Sequence, residues 1–214
     1  VASAQSVVPV EQAPYHVPVF RNEYVTALNV FIPPGRTSGF HRHTLDTVGV
    51  QILDTARTGQ LPGGPVNASQ IRQPGVVQFA LYSREPTVHA VTVTGDGVFH
   101  NIVVELLQAT PHGFAPGSRD GAAAAAYTMV LDNERVRAWR LVLAPGEQAA
   151  PITQAAPGIR IIVRGSELIE SIADRPDRGM APKAGEFYWQ DGGVTRAIRN
   201  VGTTPLELVE IELK

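Results

Sequence analysis

The stretch Asn22-Glu23-Tyr24-Val25 through Ile32-Pro33-Pro34-Gly35 decides how this chain is read, because it occurs twice. The second copy runs from Asn133-Glu134-Arg135-Val136 to Leu143-Ala144-Pro145-Gly146, at a constant offset of about 111 residues. Each copy begins with an Asn-Glu turn signal, continues through a run of β-branched and apolar residues, and stops at Pro-Gly. A second pair of segments closes the copies. His89-Ala90-Val91 leads through Thr94-Gly95 to Val103-Val104-Glu105-Leu106, and Arg196-Ala197-Ile198 leads through Val201-Gly202 to Glu210-Ile211-Glu212-Leu213. Two blocks repeated in the same order indicate a duplicated domain.

Working outward, the remaining apolar segments have the length and composition of strands. In the first copy these are Val25 to Ile32, Val48 to Leu53, Val76 to Tyr82, Val88 to Val93 and Phe99 to Leu107. In the second they are Val136 to Leu143, Ile159 to Val163, Glu186 to Trp189 and Leu206 to Leu213. Twenty Gly and 17 Pro punctuate them, which predicts an all-β chain of the barrel or jelly-roll type. The expected boundaries are a first barrel over residues 1–110, a linker over 111–126 and a second barrel over 127–214. Only Ala122 to Ala126 has helical composition, enough for one turn within the linker.

Composition excludes several functions. The net charge is -2 with no basic run, so no nucleic-acid surface is expected. No apolar stretch reaches the roughly 20 residues of a membrane-spanning helix, so no membrane partner is expected. The absence of cysteine removes disulfides, thiolate metal sites and Cys nucleophiles. Ala2-Ser3-Ala4 before Gln5 fits the small-residue rule preceding a signal-peptidase cut, giving an expectation of a periplasmic or secreted protein, with the cytoplasm as the alternative.

The chemistry concentrates after the first Pro-Gly. Gly35 is followed by His41, Arg42 and His43, and residues i and i+2 of a strand share a face, so both imidazoles would enter one barrel interior. His89 opens a strand able to pair opposite them. Three neutral imidazoles on one face of a metal leave positions open for water, substrate or dioxygen.

These residues resemble the cupin superfamily. Gly35-x5-His41-x-His43 is similar to the first half of the cupin signature, Pro86-Thr87-Val88-His89 to the second, and the duplication to a bicupin. The resemblance covers roughly residues 15–107 and 127–214. It implies two tandem double-stranded β-helix barrels and one divalent transition metal on His41, His43 and His89. Iron is the first expectation, with manganese, nickel, copper and zinc as alternatives.

The signature's Glu falls at Thr47 or Val48, which are not carboxylates, and Asp46 stands one residue too early. The expected site is therefore three-His without a carboxylate: Asp46 faces away, caps the strand or partners a ligand His, with direct ligation as a fourth ligand the minority alternative. In the second copy His41, His43 and His89 fall on Ile152, Gln154 and Arg196, which cannot hold a metal. That barrel is expected to be structural, completing an intramolecular pseudo-dimer, with anion binding by Arg196 and Gln154 as the minority alternative; a homodimer is compatible with the sequence.

Three-His cupins similar to this one include dioxygenases of thiols, diketones and hydroxybenzoates. The resemblance thus implies an oxidoreductase acting on a small anionic organic substrate, with no side chain assigned as catalytic. The alternative is a non-catalytic cupin that binds a metal or small ligand as sensor, store or scaffold. Gln51 and Arg57 are candidate substrate-binding residues, Arg72 and Arg84 candidate anion contacts, and Tyr82 and Phe79 pocket walls. His100 is expected at the surface, and His16 and His112 as structural or solvated.

Overall fold

A computed structural model describes residues 6–119 and 126–214 of the chain. The chain divides into two compact units between Ala109 and Thr110. The first contains β1 (Val8–Pro9), β2 (His16–Arg21), β3 (Val25–Ile32), β4 (His41–His43), β5 (Thr47–Leu53), β6 (Arg57–Gln60), β7 (Val66–Ala68), β8 (Val77–Ala80), β9 (Thr87–Val93) and β10 (Phe99–Leu106). The second contains β11 (Tyr127–Asp132), β12 (Val136–Leu143), β13 (Gln148–Gln154), β14 (Gly158–Arg164), β15 (Leu168–Ile172), β16 (Arg178–Met180), β17 (Phe187–Gln190), β18 (Val194–Asn200) and β19 (Leu206–Leu213).

The two units have the same topology. Sheet order β2-β3-β10-β5-β8 in the first becomes β11-β12-β19-β14-β17 in the second. The facing order β4-β9-β6-β7, extended by β1 in the first unit, becomes β13-β18-β15-β16. Each unit is thus a two-sheet jelly roll, and the chain is all-β with tandem barrels. The only helical element among the described residues is a short 3-10 turn at Val10–Gln12. No helix there is long and apolar enough to cross a membrane. Of the helical turn expected at Ala122 to Ala126, only Ala126 lies among the described residues.

The repeated sequence signals act as repeated local structures. Asn22 Oδ1 accepts the N–H groups of Tyr24 and Val25, both at 2.9 Å. Asn133 Oδ1 does the same for Arg135 and Val136, at 2.8 and 3.0 Å. This Asx turn aims each opening strand. At the other end, Arg36 N–H bonds Pro33 O at 3.2 Å and Glu147 N–H bonds Ala144 O at 3.0 Å. Gly35 and Gly146 supply φ of +69° and +84° at the third turn position, behind a Pro. That is the chemistry of a type II turn.

Strand pairing then builds each core. In the first barrel β10 lies between β3 and β5, and Leu28, Val30, Ile32, Val93 and Phe99 pack with Val10. In the second, Trp139, Leu141, Leu143, Ile162, Leu206 and Leu208 occupy the corresponding place. The stretch expected as linker contributes to the second barrel, where Arg119 is buried.

Candidate metal centre

Three short-range decisions assemble the site. His41 and His43 point inward from β4 while Arg42 between them is exposed. Antiparallel pairing of β4 with β9 sets His41 directly opposite His89. Ring centroids lie 5.1 Å apart for His41 and His43, 4.6 Å for His41 and His89, and 5.0 Å for His43 and His89. One nitrogen from each falls within 4.8 Å of the others. Among the described residues this is the one group of three or more such side chains close enough to hold a metal ion.

The state of the rings fits that role. His41 Nδ1 donates to Gly39 O at 3.1 Å, because a carbonyl can only accept, and this leaves its Nε2 lone pair inward. His41 Nε2 and His43 Nδ1 are buried without a hydrogen-bond partner. Orphaned buried nitrogens are uncommon in a finished core and are what a ligand set leaves behind. Burial, reinforced by neighbouring imidazoles, lowers the pKa of His43 to about 2 and of His89 to about 4. Burial also lowers that of His41 against its bond to Gly39. All three are neutral at physiological pH, the form that binds metal.

A fourth imidazole stands beside them. His16, expected to be structural or solvated, is buried on β2 with its ring 4.5 Å from that of His41. Its Nδ1 donates to Pro14 O at 3.0 Å, and burial followed by His41 lowers its pKa to about 4. The missed signal was register. His16 pairs with Val30 as Tyr127 pairs with Leu141, and both point into their barrels.

The cluster opens on a cavity of about 500 Å³ within the first barrel. Tyr82 stacks on His43 at 4.7 Å and 24°, and Phe79 lines the wall, as expected. Arg57 and Arg72 line the cavity; Arg84 does not. Gln51 is placed differently from expectation. Its amide donates to the carbonyls of Leu53, at 2.5 Å, and His100, at 3.0 Å, so it is tied to backbone and does not line the cavity. Asp46 is likewise outside the metal group: its Oδ1 accepts the Ser83 N–H at 2.9 Å, securing a loop. His100 is buried rather than at the surface, bonded to Asn29 Oδ1 at 2.8 Å.

The second barrel has the same frame and a different filling. Ile152 pairs with Arg196 as His41 pairs with His89. Gly49 pairs with Val103 across β5 and β10, whereas Arg160 pairs with Glu210 across β14 and β19. Gly59, opposite Val91, corresponds to Glu170, opposite Ile198. Arg160 is ion-paired to Glu170 at 2.7 Å and to Glu210 at 2.8 Å. Arg119 pairs with Glu210 at 2.5 Å and Glu212 at 2.8 Å and stacks over Tyr127. Charged side chains therefore occupy the space that two glycines leave open in the first barrel.

No family model matches the chain. No curated protein matches it either. Solved structures do. AerE from Microcystis aeruginosa shares 11% identity over 94% of this chain and 98% of its own, with a TM-score of 0.59. Oxalate decarboxylase from Bacillus subtilis, a protein with Mn(II) centers, shares 13% over 89% of this chain and 69% of its own, at 0.55. A cupin 2 conserved barrel domain protein from Leptotrichia buccalis shares 7% over 92% and 88%, at 0.52. At such identities the likeness concerns architecture. Together with the duplicated topology, it shows that this chain shares the β-barrel fold of these structures.

Proposed function

We propose that the first barrel is the working half of a metal-dependent oxidoreductase of the dioxygenase type, acting on a small anionic organic substrate. The observation that carries this reading is a set of three neutral imidazoles, two buried and one half-buried, with no carboxylate among them, beside a cavity of about 500 Å³. His41, His43 and His89 would hold a divalent first-row ion, iron or manganese, and the similarity to a protein with Mn(II) centers supports the second choice. Three neutral ligands leave the ion's full double charge, which favours an anionic oxygen or sulfur donor from the substrate. The ion, when bound, supplies Lewis acidity and a place for dioxygen beside the substrate. The protein's own contribution is geometry. Gly39 O fixes the His41 ring, Tyr82 holds the plane of His43, and Val30, Ile32, Val91 and Phe79 give the cavity an apolar part of its wall.

Metal analysis of the purified chain and of His41→Ala tests the reading. Wild type is expected to carry one iron or manganese ion per chain and His41→Ala to lose it, with affinity lower by about 100-fold or more, since a ligand contributes at least as much as its supporting shell. Oxygen uptake against thiols, diketones and hydroxybenzoates then separates enzyme from binder. A loaded protein that consumes no oxygen with any of them would make this a metal-binding cupin without catalysis. A wild type that takes up no metal sinks both.

A further inference from the structure

The cavity of the first barrel has two chemically different ends. The histidines occupy one. Arg57 and Arg72 line the other. Arg57 sits opposite Val93 on β9, four residues beyond His89 on the same strand. That is about 13 Å of backbone at the rise of an extended strand.

The far end carries more positive charge than the protein neutralises. Arg57 has a side chain only 3% exposed, pairs through Nη1 with Asp54, and lies over the Phe99 ring at 4.8 Å. Its guanidinium makes no other hydrogen bond among the described residues, although it has five N–H donors. Asp54 is fully engaged. Its Oδ1 also accepts the Thr55 N–H at 2.8 Å, and its Oδ2 accepts the Arg72 backbone N–H at 2.6 Å. The half-buried Arg72 side chain has neither ion pair nor hydrogen bond among the described residues. Asp54 therefore balances Arg57 alone, and Arg72 leaves one positive charge at the cavity.

The rest of the lining mixes the apolar side chains of Val30, Ile32, Val91 and Phe79 with polar ones that include Thr47, Gln60, Asn67, Ser69 and Gln78. Asn101, opposite Val30, lines the cavity with its Oδ1 buried and unpartnered, an acceptor without a donor.

We infer that Arg57 and Arg72 form a carboxylate-binding subsite for the far end of the substrate. The substrate class is then an extended acid with a metal-binding donor at one end and a carboxylate at the other. The unbalanced charge is a single positive one, which suits a carboxylate better than a doubly charged phosphate. A hydroxyl or amide N–H midway would satisfy Asn101. The near end of this assignment rests on the metal-centre reading above, and the far end stands without it.

Two hydroxamates serve as probes on the manganese-loaded protein. Suberic acid monohydroxamate carries a chelating head and a distal carboxylate; octanohydroxamate has the same head and a neutral tail. Wild type is expected to bind the acid more tightly, and Arg72→Gln to weaken it by about tenfold or more while leaving octanohydroxamate within about twofold, as expected for loss of a charge-assisted contact. Equal affinity of wild type for the two probes, or equal weakening of both by Arg72→Gln, overturns the subsite. Arg57→Gln leaves Asp54 buried without its cation, so the half-buried Arg72 carries the decision. If the protein takes up no metal, hexanoate titrated into the metal-free chain and followed by NMR of the arginine side chains decides instead. Shifts at Arg57 and Arg72 in wild type that vanish in Arg72→Gln uphold the subsite even as the metal reading fails; no hexanoate-dependent shift overturns it.

Discussion

The two barrels have one topology and opposite interiors. In the first, Gly49 and Gly59 put no side chain into the barrel, and the space they leave is the cavity in front of the histidines. In the second, their counterparts Arg160 and Glu170 fill it and pair with each other. Where His16 flanks the metal group, Tyr127 lies under Arg119. The difference shows that turns and strand registry specify this frame, and that inward positions are free to be a site or a plug. The plug must be electrically complete, because a buried charge without its partner is costly while a matched pair can be neutral.

The largest difference between the barrels is expected in acid. Five of the six histidines lie in the first unit, and burial is the first cause lowering the pKa of each. A folded-state pKa below the unfolded value of 6.5 means that unfolding takes up a proton. Stability is therefore full above pH 6.5 and falls as pH drops towards the folded values of about 4 for His16 and His89 and about 2 for His43. Each proton taken up costs about 1.4 kcal/mol per pH unit. Glu105 opposes this. Burial and then Glu11 raise its pKa to about 7, so between its unfolded value and pH 7 it gives stability back as pH falls. The second unit has only His112. Burial alone would raise the pKa of Glu210, but Arg160 and Arg119 hold it at about 2, so that carboxylate loses its contribution only below about pH 4.5. In the metal-free chain at pH 5, amide exchange corrected for intrinsic rate should show β10 losing protection while β19 keeps it. Equal loss in the two strands would break the contrast.

The sequence made the frame legible because its determinants are local. Asn-Glu and Pro-Gly are turns wherever they occur, and His-x-His on a strand needs only the two-residue alternation. The remainder needed tertiary contact. Gln51 was read as facing a substrate, but β10 carries an irregular register between His100 and Asn101, and the carbonyls of His100 and Leu53 capture the amide. Asp46 was a candidate ligand until the Ser83 N–H claimed it. His16 joins the site through pairing of β2 with β3, which no motif announces. The importance of Gly49 and Gly59 emerges only when their registry partners are set beside Arg160 and Glu170.

Next in size is removal of the central cation of the plug. Arg160 is 1% exposed and serves both Glu170 and Glu210. Arg160→Met keeps much of the volume but leaves Glu170 without its cation and Glu210 with Arg119 alone. The expected cost is about 3–5 kcal/mol, read from urea unfolding at pH 7. Glu170→Gln together with Arg160→Met should recover part of it, since the orphaned charge is then gone. A cost under about 1 kcal/mol for the single variant would mean that water reaches the network, as at an exposed pair.

The smallest effect on stability, and the most direct test of the comparison, is to move the plug. Gly49→Arg with Gly59→Glu installs in the first barrel the two side chains that close the second. A Cβ on Gly59 meets only Ser69 Oγ at 3.7 Å, an ordinary contact. A Cβ on Gly49 lies 3.2 Å from Asn101 Nδ2, so the amide must give way by a few tenths of an ångström. The new pair would lie across the cavity, away from the backbone positions that fix His41, His43 and His89. Overpacking of this kind costs about 1–3 kcal/mol, partly offset here because the two charges can meet. Metal content should stay at the wild-type level while octanohydroxamate and suberic acid monohydroxamate both lose their binding. Retained hydroxamate binding would show that the cavity is not the route to the ion. Loss of the metal itself would show that the frame and its filling are coupled, and that the two barrels differ by more than what their interiors contain.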